Sequence, residues 1–326
     1  MIKEFSFQWH ITDFCNLRCR HCYQENFDRS RELPFERLVH IIEDISTFLK
    51  KEGFDRLSIN LTGGEPLIYP HLNQLLKTLN KVDIVHEINI ITNGILSPNK
   101  VIEESYEKLK YIKVSLEGAK EETNDLIRGR GNFQRVVGNL KNLRYDFLFM
   151  FTIAKYNYRE LDDMYRLAQT LGAKGFILER FIPLGEGLKI KDMVLEADEW
   201  YEVVDRVATW ADLDPEDLLP YRAFYVDFEE NRILGALCNL GESCAIMPNG
   251  DVYPCRRFPI VLGNLTNESF SEVYERILKF RAEFTKDNLK GKCHLCNVED
   301  CIGCRALSFS LFSDIFEEDY QCWIKD

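Results

Sequence analysis

Cys15, Cys19 and Cys22 fall within eight residues of one another in the stretch TDFCNLRCRHCYQ, with no fourth cysteine beside them. Three thiolates from one short loop can hold three corners of a cubane 4Fe–4S cluster, which leaves one iron without a protein ligand. An open coordination position accepts a substrate or cofactor, whereas a fully ligated one is structural. The same thiols with a distant fourth ligand would instead make a zinc site. A second group of cysteines lies far along the chain. Cys238, Cys244 and Cys255 are spaced by five and ten residues; Cys293, Cys296, Cys301 and Cys304 follow as two CxxC pairs, and Cys322 comes after 17 more residues. Two CxxC pairs this close read as a zinc or iron–sulfur site. Eight thiols complete two four-ligand sites, and the three amino-terminal thiols bring the total to all 11 cysteines. An odd number fits poorly with complete disulfide pairing.

These residues need elements to position them. Short apolar, β-branched runs at 5–12, 56–62, 86–92, 111–117, 147–154 and 174–181 predict strands. Amphipathic stretches lie between them: PFERLVHIIEDISTFLKK (34–51), PHLNQLLKTLN, PNKVIEESYEKL, NFQRVVGNLKNL and YRELDDMYRLAQTLG, the last ending at Gly172. Six strand–helix units in series predict a parallel sheet with helices outside, either an incomplete barrel or an open doubly wound sheet. The three-thiol loop directly follows the first strand, and the carboxyl end of a strand is where parallel α/β proteins build their sites. A further helix over 197–212 carries a Trp and Val stripe that reads as core. Beyond it the chain turns rich in cysteine, glycine and turns. We therefore divide it into a first unit, 1–225, and a second, 226–326.

Composition narrows the function. The net charge of −12 argues against a nucleic-acid partner, which would need a basic face. No run of 18 apolar residues predicts a membrane span, and MIKEFSFQWHITDF lacks the features of a signal peptide, so a cytoplasmic location is expected.

The CxxxCxxC loop, with His21 in the aromatic position before its last cysteine, resembles the signature of the radical S-adenosylmethionine (SAM) superfamily. Further strand-end segments share the resemblance: TGGEP with Gly63, Gly64 and Glu65; TNG with Asn93; VSLEG with Ser115 and Glu117, where the family more often carries Asp; and NDLIRGRGNF with Arg128. RFIPLGEG (180–187) is similar to the loop after the sixth strand. Over about residues 5–187 the resemblance implies a partial (β/α)6 TIM-like barrel. It also implies that the free iron chelates SAM and that the cluster cleaves it reductively to a 5′-deoxyadenosyl radical, the cofactor carrying the hard chemistry. Gly63, Gly64, Glu65, Asn93, Ser115, Glu117 and Arg128 are the implied SAM contacts. Glu65 would meet the ammonium group and Arg128 the carboxylate.

The later cysteines look like a C-terminal SPASM domain. That resemblance implies two auxiliary 4Fe–4S clusters, one on Cys238, Cys244, Cys255 and Cys304, the other on Cys293, Cys296, Cys301 and Cys322. With the first, this makes three 4Fe–4S clusters. SPASM proteins mostly act on peptides or proteins, so oxidative modification of a peptide or protein side chain is the expected activity. An external electron donor of flavodoxin or ferredoxin type is implied. Because the thiol loop begins at residue 15, leader-peptide recognition is expected to need another protein or not to occur. Sulfatase maturases carry an Asp after the cysteine equivalent to Cys255; here Arg256 and Arg257 stand instead, which disfavours that activity. An arginine pair can bind carboxylates or balance an anionic cluster, so a tetrapyrrole or other cofactor precursor is the alternative substrate. A zinc- or iron–sulfur-stabilised binding or electron-transfer protein is the non-enzymatic alternative. Glu179 and Arg180 are adjacent on the sixth strand, so one should face inward. Tyr225 and Asp227 are expected in a linker, and no catalytic acid or base stands out.

Overall fold

The structure, a computed structural model, describes residues 2–324. Six parallel strands run in chain order across the sheet: β1 (Glu4–Thr12), β2 (Arg56–Gly63), β3 (Val85–Thr92), β4 (Leu109–Ser115), β5 (Phe147–Ile153) and β6 (Gly175–Arg180). Between them come α1 (Phe35–Lys51), α2 (Leu72–Asn80), the short α3 (Pro98–Val101), α4 (Glu121–Arg128), α5 (Asn132–Leu140) and α6 (Leu161–Thr170); α7 (Ala197–Ala211) follows β6.

Period-two patterning explains the layers. On β1, Phe5, Phe7, Trp9 and Ile11 alternate with Ser6, Gln8 and His10; on β2, Leu57, Ile59 and Leu61 alternate with Ser58, Asn60 and Thr62. The apolar set packs under the helices, where α1 buries Leu38, Ile41, Ile42, Ile45 and Leu49 at helical spacing. The polar set lines the concave side. There the Lys113 ammonium donates to Asn60 Oδ1 at 2.7 Å. The inner face is thus a polar lumen rather than the stacked apolar layers of a filled barrel.

The last third of the chain supplies both edges. β7 (Ala223–Asp227) pairs antiparallel with β6, and β8 (Arg232–Ala236) with β7. The chain then crosses to the far edge, where β9 (Ser243–Ile246) runs parallel to β1 and is followed by β10 (Asp251–Tyr253) and β11 (Gly263–Asn264). α8 (Phe270–Ala282) packs on α1 through Phe270 and Tyr274 against Phe48. α9 (Gly291–Leu295) and α10 (Arg305–Phe312) complete the cysteine-rich region. A second core joins Phe181 and Ile182, just past β6, to Phe258, Phe280, Phe284 and Leu307. The division drawn between residues 225 and 226 falls inside β7, which carries Tyr225 and Asp227 on a strand rather than a linker.

The helix expected over PNKVIEESYEKL stops after one turn. Asn73 of α2 donates to the Val101 carbonyl at 2.9 Å and accepts from the Glu103 amide at 3.1 Å, so both groups are withdrawn from a continuing helix. Glu103, Glu104 and Glu107 also place like charges at helical spacing.

Asp319 fastens the carboxyl-terminal segment to β6. Its carboxylate accepts from Arg180 Nη1 at 2.9 and 3.0 Å and from the amides of Cys304 and Gln321, with Arg222 Nε at 3.2 Å. Burial alone would raise its pKa; Arg180 and Arg222 reverse this and hold the carboxyl well below the usual range. A depressed carboxyl pKa contributes stability above the unfolded value of ~3.9 and loses it as pH falls through the folded value. Replacing Asp319 with Ala leaves two buried guanidiniums without their anion and is expected to cost about 3–5 kcal/mol. Urea unfolding at pH 7 measures this, and the gap between wild type and variant should shrink as pH is lowered below ~4.

Candidate active site

The thiol loop starts where β1 ends and is clamped against the turn after β2. The Gly64 amide donates to the Thr12 carbonyl at 2.8 Å and the Glu65 amide to the Phe14 carbonyl at 2.9 Å. A methyl group at Gly64 would sit 2.2 Å from the Phe14 oxygen, and one at Gly63, which has φ +132°, 2.2 Å from the Thr12 oxygen. The two glycines therefore admit the backbone of the thiol loop itself. Two more bonds hold the loop: Arg20 N to the Ile127 carbonyl and Gly187 N to the Cys22 carbonyl, each 2.9 Å.

Cys15, Cys19 and Cys22 face one cavity at the strand ends, whose wall also includes Gly63, Gly64, Asn93, Ser115 and Arg128. Asn93 Nδ2 lies 3.8 Å from Cys15 Sγ, and Arg128 Nη1 lies 4.0 Å from Cys19 Sγ. Burial raises all three thiol pKa values, to about 11 for Cys19 and about 12 for Cys22. Ligation of a metal must displace those protons.

Two expected contact residues stand behind the cavity wall. Glu65 is wholly buried and accepts from Thr92 Oγ1 (2.7 Å), Asn93 N (2.8 Å) and Leu67 N (3.0 Å). Burial raises its pKa against these donors. Glu117 accepts from Arg128 Nη2 at 2.5 Å and Thr152 N at 2.9 Å, with His21 Nε2 at 3.1 Å. Burial would raise its pKa, but His21 and Arg128 outweigh burial and leave it lowered. His21 occupies the position before the last loop cysteine, so Glu117 anchors the thiol loop and Arg128 together.

The remaining thiols sort into two cavities. Cys238, Cys244, Cys255 and Cys304 line one; Cys293, Cys296, Cys301 and Cys322 line the other. Among the described residues, no three His, Cys, Asp or Glu side chains converge tightly enough to hold a single metal ion. The thiols surround spaces instead. Donors reach the sulfurs: Arg222 Nη2 to Cys301 Sγ at 2.9 Å, the amides of Val298 and Asp319 to Cys296 and Cys293 at 3.4 Å, and Leu17 N to Cys15 at 3.4 Å.

The partners of several charged residues escaped sequence reasoning. Glu179 faces the lumen and pairs with Arg256 and, at 3.7 Å, with Arg257. Arg180, its neighbour, is buried on the opposite side against Trp200 and Asp319. Strand parity indicated that one of the two points inward; their buried partners lie 77 and 139 residues away, beyond any local signal.

A parallel half-barrel thus carries a three-thiol loop at its mouth and two four-thiol cavities beside it. The model of the radical SAM superfamily matches residues 9–168, and that of the SPASM iron–sulfur cluster-binding domain matches residues 238–297. The chain belongs to the radical SAM superfamily, carries a SPASM domain and is an enzyme, which sets aside the non-enzymatic alternative. Among curated relatives, the AdoMet-dependent heme synthase of Methanosarcina barkeri is 28% identical, covering 96% of this chain and 95% of that protein. The subtilosin biosynthesis protein AlbA of Bacillus subtilis is 27% identical over 90% of this chain and 65% of its own length. The mycofactocin maturase MftC of Mycobacterium ulcerans is 28% identical over 96% and 86%. Among solved structures, Streptococcus suis SuiB bound to its precursor peptide SuiA superposes with a TM-score of 0.73 at 18% identity, covering 98% of this chain and 76% of that one, and shows the shared fold. The family implies a 4Fe–4S cluster with SAM, and the SPASM domain further iron–sulfur clusters. The residues present fit such groups, since buried and half-buried thiols with N–H donors aimed at their sulfurs are the setting that holds and tunes an iron–sulfur cluster.

Gly64→Ala is expected to destabilise the fold by about 1–3 kcal/mol, because the clash is with backbone. Gly138→Ala, in the interior of α5 with open space around it, is expected to stabilise by about 0.5–1 kcal/mol. Chemical denaturation of the two variants checks the opposite signs.

Proposed function

We propose that the protein is a radical SAM enzyme with three 4Fe–4S clusters that oxidatively modifies a peptide or protein side chain. The distribution of the thiols carries the reading: three at the barrel mouth and four in each of two further cavities, with none left over. In this reading Cys15, Cys19 and Cys22 hold the SAM-binding cluster. Cys238, Cys244, Cys255 and Cys304 hold the first auxiliary cluster, and Cys293, Cys296, Cys301 and Cys322 the second. When bound, the first cluster with SAM supplies reductive cleavage to a 5′-deoxyadenosyl radical.

The chain's own residues then have separable tasks. Gly63, Gly64, Asn93, Ser115 and Arg128 shape the SAM pocket. Glu65, behind the wall, fixes the 92–93 turn through its three donors. Glu117 orients Arg128, whose remaining guanidinium nitrogen faces the cavity near Cys19. The polar lumen receives the substrate and keeps the reacting carbon near SAM. An external donor of flavodoxin or ferredoxin type supplies the electron, in the cytoplasm.

A second reading, modification of a tetrapyrrole or other cofactor precursor, is favoured by the arginine pair at the lumen wall and by the likeness to AdoMet-dependent heme synthases.

Anaerobically reconstituted protein is expected to hold about 12 irons per chain, the sum of three cubanes. With dithionite it should convert SAM to 5′-deoxyadenosine. The triple variant Cys15→Ala, Cys19→Ala, Cys22→Ala should retain about eight irons and lose the product. Fully loaded wild type that yields no 5′-deoxyadenosine would overturn the reading. Iron analysis and liquid chromatography of the nucleoside decide it.

A further inference from the structure

The cavity holding Cys15, Cys19 and Cys22 and the cavity holding Cys238, Cys244, Cys255 and Cys304 share a wall made of Glu179, Ile182, Arg256 and Arg257. A substrate that reaches toward both must touch this wall. The wall contains two guanidiniums and one carboxylate in a place largely shielded from water, where a charge without a partner is costly.

The two arginines face different ways. Arg257 donates to the Arg180 carbonyl at 2.7 Å and lies in the field of Cys255 and Cys304, so bound thiolates can balance it. Arg256 turns to the lumen. It meets Glu179 there and reaches Gln8 Oε1 at 3.2 Å. Its side chain is only 9% exposed, and its Nε has no acceptor. A buried donor without an acceptor at a cavity wall calls for a group that is not part of the chain. An anion with two coplanar oxygens matches a guanidinium fork.

We infer that Arg256 forms a receptor for an alkyl carboxylate borne by the substrate, at the wall between the SAM cavity and the first carboxyl-terminal thiol cavity. The inference rests on the proposed radical SAM reading for the identity of the bound molecule as substrate. Glu179 is the internal competitor: it holds Arg256 in place until an external carboxylate shares the fork. The shared chemistry is an acid on a short alkyl arm, carried either by a peptide side chain or by a tetrapyrrole.

Equilibrium dialysis of the reconstituted holoprotein with SAM tests this with two matched pairs. One is N-acetylglutamate N-methylamide against N-acetylglutamine N-methylamide; the other is mesoporphyrin IX against its dimethyl ester. At least one acid is expected to bind about tenfold or more tightly than its neutral twin, the scale of a charge-assisted hydrogen bond. The pair that responds identifies the source of the carboxylate. Arg256→Gln should abolish the preference, and Arg256→Lys should keep part of it, since charge remains while the fork is lost. Glu179→Gln should strengthen acid binding, a gain that misfolding cannot produce. The inference is overturned if neither acid is preferred, or if the preference survives Arg256→Gln and Glu179→Gln has no effect. Formation of 5′-deoxyadenosine by wild type without probe reports on the radical SAM reading separately. Intact cleavage without acid preference removes only this inference, and acid preference without cleavage removes only the earlier reading.

Discussion

One buried carboxylate ties the barrel mouth together. Glu117, at the end of β4, collects His21 from the thiol loop, Arg128 from the end of α4 and the Thr152 amide from β5. A carboxylate in that position would be costly alone, and each partner would be costly without it. The set therefore stands or falls as a unit, and what it fixes is position rather than raw stability. Through His21 it orients the loop that carries Cys19 and Cys22; through Arg128 it places a cation beside Cys19. The clamp of the thiol loop on Gly63 and Gly64 works from the opposite side. Between them the loop has little freedom, which is what a site with one open coordination position requires.

A second pivot lies at the end of β6. Glu179 points into the lumen and Arg180 away from it, so two adjacent residues reach two different cavities. Glu179 meets the arginines that follow Cys255, and Arg180 meets Asp319 just before Cys322. The cysteine-rich region is thus built onto the barrel at the end of β6, while β9 continues the sheet beyond β1. Each end of the half-barrel is covered by the same segment of chain, which explains why the core runs across the division drawn from composition.

The barrel was legible because period-two and helical patterning are local. All six strands fell within about two residues of their expected bounds, and α1 and α7 within one. That Cys15, Cys19, Cys22, Gly63, Gly64 and Arg128 line one cavity was legible because their motifs are short and sit at strand ends. The partner of Glu117 was not: His21 reads as a filler of an aromatic position until the fold brings it 3.1 Å from a residue 96 positions later. The short strands β7 to β11 were missed because their two to five residues lie among cysteines and turns, too short for a period to show. Asn73 ended α3 by capturing backbone groups from another helix, a tertiary effect that propensity does not contain.

The account depends on an iron with a free coordination position held by Cys15, Cys19 and Cys22. The most direct measurement is electron paramagnetic resonance of the reduced variant in which all eight carboxyl-terminal cysteines are Ala, recorded with and without SAM carrying a 17O-labelled carboxylate. Expected is one 4Fe–4S signal whose g values shift on adding SAM, with hyperfine coupling to the labelled oxygen. A fully formed cluster whose spectrum is identical with and without SAM, and shows no such coupling, would contradict it.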